Sequence, residues 1–137
     1  MKAVAIDLAA LGDTGPLWRD WLEDAERRFR VDVNALDRDL PNWRRLLERF
    51  AEERVPVYLR RDADVSGVLR RLQADGARIG VFTDMPEELA RVVLSHLGAA
   101  ERVDMLETGD GAEERVLQRL GDGATVVHTR QQLLAVT

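Results

Sequence analysis

Four short apolar runs in this 137-residue chain each deliver a polar side chain at their end. Lys2–Leu8 carries Asp7, and Arg78–Thr83 ends on Thr83 with Asp84 next. Val103–Glu107 ends on Glu107 with Thr108 next, and Ala124–His128 ends on His128 with Thr129 next. Such runs read as buried strands. If they lie parallel in one open sheet, their C-terminal ends share a rim, and that rim is where open sheets bind ligands. A carboxylate beside a hydroxyl there makes a usable phosphate site. The carboxylate can attack phosphorus or bind a cation, while the hydroxyl and nearby backbone N–H groups hold the phosphoryl oxygens. A strand-end acid also has a plainer use, which is to cap the turn that follows it.

Composition removes most other chemistry. The chain has no cysteine, which excludes disulfides, thiolate metal sites and cysteine nucleophiles. Its only histidines are His96 and His128, too few for a multi-histidine metal site. The formal net charge of −5 argues against nucleic acid as a partner. Lys2 is the only lysine; all other basic residues are arginines, a bias that reads as bacterial. No apolar run approaches the roughly 20 residues of a membrane helix. The first residues lack the apolar region and small-residue cleavage site of a secretory signal, so the expected location is the cytoplasm.

The elements that must position these residues follow from periodicity. Thr14-Gly15-Pro16 is a helix start, and Leu17, Trp18, Trp21, Leu22, Ala25 and Phe29 then share one face. Leu40-Pro41-Asn42 starts a second helix, with Trp43, Leu46, Leu47 and Phe50 at helical spacing, and Val55-Pro56-Val57-Tyr58 is expected to break it. From Asp62 onward helices and strands alternate. Helices are expected over 64–75, 86–97 and 112–120, with a final turn from Gln131. Alternation of this kind means a parallel sheet flanked by helices. The predicted architecture is α/β and Rossmann-like, with about four strands. The core is expected over 1–11 and 59–137, with a helical-pair insert over 12–58 directly after the first strand.

Ile6-Asp7-Leu8-Ala9-Ala10-Leu11-Gly12-Asp13-Thr14 resembles the first motif of the haloacid dehalogenase (HAD) superfamily of phosphatases, roughly F-D-L-D-G-T-L. Gly80-Val81-Phe82-Thr83-Asp84-Met85-Pro86-Glu87-Glu88-Leu89-Ala90 is similar to the second motif and its helix. The insert lies where that family places its helical cap. The resemblance implies strand order 3-2-1-4, with Asp7 as nucleophile and magnesium ligand and Thr83 as phosphate contact. Asp84, Arg115 and His128 would be the substrate-binding residues. The chain also departs from the family at the chemistry. The second acid of the first motif, a general acid and base, is Ala9 here. No lysine follows Lys2, leaving Arg115 as the substitute for the third-motif cation. The tail after the last strand holds no acid, since the last in the chain is Asp122. A missing general acid typically removes about 10²–10⁴ in rate, and magnesium is rarely held by a single carboxylate. The expected function is therefore a non-catalytic HAD-like binding or interaction module with no cofactor. The alternative is a divergent magnesium-dependent phosphohydrolase using Asp7.

All three tryptophans, Trp18, Trp21 and Trp43, fall in the insert. They either pack the two insert helices together or leave an apolar strip. The strip would be buried in a homodimer or against the core over Tyr58 and Met85. His96 is expected to pack within its helix. The paired arginines 44–45, 60–61 and 70–71 read as solvated faces.

Overall fold

The computed structural model describes residues 2–136. Four parallel strands form one sheet in the order β3-β2-β1-β4. They are β1 (Ala3–Asp7), β2 (Arg78–Thr83), β3 (Met105–Thr108) and β4 (Thr125–Val127). The β1 strand is central because it is apolar on both faces: Val4, Ala5 and Ile6 are fully buried. It aligns Asp7 with Phe82 of β2 and Ile6 with Val127 of β4, while Thr83 pairs with Thr108 of β3. This register brings all four strand ends to one rim, as the sequence pattern predicts.

The helices are α1 (Gly15–Phe29), a single turn α2 (Leu36–Asp39), α3 (Trp43–Tyr58), α4 (Ala63–Ala74), α5 (Glu87–His96), α6 (Ala112–Leu120) and α7 (Arg130–Leu134). They cover the sheet unequally. Val4, Ile6, Ile79, Val81 and Val127 point to one side, where they join the main core with side chains of α4, α5 and α7. Ala5, Phe82 and Met105 point to the other side and meet only α6, through Ala112, Val116 and Leu120. At α7 the Thr129 hydroxyl and the Gln132 side chain form a reciprocal cap. Arg130 then ties α7 to α4 by pairing at 2.6 Å with Asp62, whose carboxylate also caps α4.

The second insert helix does not break at Pro56. It runs unbroken from Trp43 to Tyr58. Pro56 sits in the last turn, where its missing N–H costs one hydrogen bond and no further turn depends on it. The buried Val55 and the hydrogen bond from the Tyr58 hydroxyl to Asp20 on α1 hold that turn in place. At the start of α1, Asp13 Oδ1 accepts the first free N–H, that of Gly15, at 2.9 Å.

The three indoles form one cluster. Trp18 stacks on Trp21 with ring centroids 5.6 Å apart, and Trp43 lies 5.9 Å from Trp21. Trp21 and Trp43 are 2% and 7% exposed, and the Trp43 Nε1–H donates to Asp37 of α2 at 2.7 Å. A second side of α3 packs on α5, joined by an Arg44–Glu88 ion pair at 3.0 Å. The apolar strip anticipated from two isolated helices is thereby reduced. Among the described residues the exposed large hydrophobics are Phe29 and Val57. The physical reason is that α2 and α5 supply the extra surfaces that two helices alone lack.

Candidate functional site

The strand ends line an open cavity of about 300 Å³. Asp7, Thr83 and Asp84 contribute from β1 and β2, and Asp110, Glu113 and Glu114 from the β3–α6 turn and the first turn of α6. No residue of the helical insert lines it. Asp7 is half-buried, and its Oδ1 accepts the Ala9 N–H at 3.0 Å, capping the 3₁₀ turn over Leu8–Ala10. Thr83 is buried, and its Oγ1 accepts the Met85 N–H at 3.2 Å. Both side chains are therefore at the rim and side by side, each engaged in shaping its own turn. Asp84 is exposed beside them.

The remaining predicted binding residues have other partners. Arg115 does not line the cavity. Its Nε donates to Glu107 at 2.8 Å, and its two terminal nitrogens donate to the carbonyl oxygens of Thr108 and Asp110, each at 2.5 Å. It fixes the β3–α6 turn, where Gly111 at φ 76° lets the guanidinium approach closely. The strand stops one residue short of the expected end, so His128 follows β4 directly, with its ring edge-on to Phe82 at 5.7 Å and its Nε2 at 2.6 Å from Glu113. It stands behind one wall of the cavity through Glu113. His96 holds the return from the insert, with Nε2 at 2.8 Å from the Leu59 carbonyl oxygen. The Glu113 partnership was not anticipated; the first-turn pair Glu113-Glu114 was its only trace in the sequence.

Glu107 belongs to a clamp, not to the cavity. Arg115 and Arg119 each pair with it at 2.8 Å, and their hydrogen bonds hold its carboxyl below its ordinary value of 4.5. A carboxylate with a depressed folded-state pKa stabilises the fold fully above the unfolded value, and that contribution is lost as pH falls through the folded value. Both arginines are about half exposed, so the effect is small. Glu107→Gln is expected to lose about 1 kcal/mol at neutral pH and to flatten the acid limb of the stability profile below about pH 4.5. Urea unfolding followed from pH 3 to pH 7, roughly spanning that limb, checks it. Parallel profiles for the two proteins would contradict the clamp.

The rim chemistry is lopsided. Among the described residues five carboxylates line the cavity (Asp7, Asp84, Asp110, Glu113 and Glu114) and no basic side chain does. A phosphate dianion placed there meets like charge from several sides. Magnesium requires several hard oxygen ligands converging at about 2.0–2.1 Å. Position 9, where the family's second acid would stand, is alanine, and one oxygen of Asp7 already accepts a backbone N–H. Among the described residues no three acidic or imidazole side chains are grouped to hold a metal. The residues present do not fit the family's magnesium.

Strand order, all-parallel pairing and the rim position of Asp7 define a Rossmann-like α/β fold of the HAD type. One solved structure that it resembles is a crystal structure from Thermotoga maritima assigned as a beta-phosphoglucomutase. The two share 23% identity and a TM-score of 0.58, over 93% of this chain and 75% of that one. No protein-family profile and no curated protein matches the sequence. No described helix is long and apolar enough to cross a membrane.

Proposed function

We propose that this chain is a HAD-like protein with degenerate catalytic motifs that acts as a binding or interaction module. The observation that carries the reading is the rim itself. Asp7 and Thr83 stand side by side, but Ala9 stands where the resemblance expects the general acid, Arg115 is committed to a loop, and the charged side chains that line the cavity are all negative. Nucleophilic attack by Asp7 would need the phosphate's charge neutralised and the leaving oxygen protonated. Neither role has an occupant in this site. The same reading takes the protein to be cytoplasmic, without a resident cofactor and without a nucleic-acid partner.

The test is a phosphatase screen with magnesium on wild type and Asp7→Asn. Turnover is expected to stay well below ~1 s⁻¹, the low end of ordinary enzymes, and to be equal in the two proteins. Magnesium-dependent turnover above that level, abolished by Asp7→Asn, would overturn the reading in favour of a divergent phosphohydrolase.

A further inference from the structure

The solvent face of α3 carries an ordered set of charges. Arg45, Glu48, Arg49 and Glu52 recur at i, i+3, i+4 and i+7, so they lie on one stripe, and all are exposed. None of the four makes an ion pair among the described residues, although other arginines of the insert do. Within the stripe Arg45 stands one turn from Arg49, and Glu48 one turn from Glu52. Like charges at i, i+4 oppose each other in a lone helix. Opposite charges at i, i+3, Arg45 with Glu48 and Arg49 with Glu52, offset that repulsion, and with none of the four paired in the protomer their charges stay open to a partner.

We propose that this stripe is the self-pairing surface of a two-fold dimer in which α3 packs antiparallel on α3 of a second copy. An axis passing between Glu48 and Arg49 sets Arg45 opposite Glu52 and Arg49 opposite Glu48, and the symmetry repeats both pairs. Pro41 and Pro56, both exposed, then face each other at the two ends. Two shallow cavities border the acids and leave room for incoming guanidinium groups. One, of about 350 Å³, runs along the stripe, and one, of about 490 Å³, lies between α3 and α5; Glu48 and Glu52 line both. A two-fold interface must be self-complementary, residue i meeting j and j meeting i, and this order of charges has that property. A basic peptide would match Glu48 and Glu52 but would also meet Arg45 and Arg49. The second copy is the occupant that satisfies all four. The pairing is independent of whether Asp7 reacts.

Exposed ion pairs make a weak, salt-sensitive interface. At roughly 100 µM protein and about 0.05 M salt, sedimentation is expected to show dimers that dissociate at about 0.5 M salt. Arg45→Glu with Arg49→Glu makes the stripe wholly acidic, and Glu48→Arg with Glu52→Arg makes it wholly basic. Each double variant is expected to be monomeric, and their equimolar mixture is expected to form a heterodimer. The single variants Arg45→Glu and Glu52→Arg, mixed, give the same rescue with less disturbance to the helix, and circular dichroism checks the fold. A wild type that stays monomeric at low salt would overturn the proposal. So would a dimer indifferent to both reversals, or folded variants that fail to associate when mixed.

Discussion

Trp21→Ala will destabilise the protein by about 3–5 kcal/mol, the range for deleting a large buried aromatic. Trp21 is the middle of the indole cluster. It is 2% exposed, stacks on Trp18 at 5.6 Å and meets Trp43 at 5.9 Å. Removing it leaves a cavity between α1 and α3 and deprives two other aromatic rings of their contact. Aromatic pairs of this geometry contribute roughly 0.5–1.5 kcal/mol beyond area burial. The loss is expected to be global, because α3 packs simultaneously on α1 and on core helix α5. A chain of this size generally unfolds as one cooperative unit. Urea unfolding checks the magnitude, with Trp18→Ala, at a half-buried position, as the milder comparison. A loss below about 1 kcal/mol at Trp21 would mean that the indoles are not packed as described.

Gly80→Val is expected to have the next largest effect. Gly80 lies in the middle of β2 on the side covered by α6. A Cβ added there would fall 2.7 Å from Val116 Cγ1 and 3.1 Å from Met105 Cγ. The clash is with Val116, a fully buried helix side chain, and with Met105 of the neighbouring strand, which is 7% exposed. Overpacking of this kind costs about 1–3 kcal/mol, and a β-branched side chain at a contact this close belongs at the upper end. Gly80→Ala is expected to cost less. The diagnostic measurement is coupling: in a Val116→Ala background the penalty for Gly80→Ala should shrink by about 0.5 kcal/mol or more, because the two sites are in contact. Strict additivity of the two changes would show that α6 does not press on the sheet at this point.

Both changes act on the scaffold that places the rim, so they separate stability from chemistry. Neither Trp21 nor Gly80 lines the cavity. A binding activity lost in Asp7→Asn and kept in Trp21→Ala below its unfolding midpoint would belong to the rim. The reverse pattern would belong to the insert.

The strands and most helices were legible in the sequence because each is governed by local spacing. Ala3–Ile6 and Ile79–Phe82 are short runs without a polar side chain, which suits strands buried on both faces. The helices around Val65, Leu89 and Val116 repeat their apolar residues at helical intervals and stop near glycines. Parallel order 3-2-1-4 followed from the resemblance of the Asp7 and Thr83 segments to known motifs, and the sheet has that order. Pro56 was misread for a definite reason. Proline breaks a helix through its own missing hydrogen bond, but the buried Val55 and the Tyr58–Asp20 contact outweigh that loss at a last turn.

By itself the sequence determined that Asp7 and Thr83 end their strands, because strand ends and their polar residues are local properties. It also determined that the rim lacks a second motif acid, since Ala9 and an acid-free tail are facts of composition. Only the tertiary structure decided what those side chains do there. Arg115 is drawn to Glu107, eight residues away, and to two loop carbonyls, and His128 is drawn to Glu113. The tryptophans close on one another beside α2, and the rim is left to carboxylates from three separate segments. Partners of this kind are chosen by distance after folding, and charges and rings that meet across loops and helices leave no periodic trace in the chain.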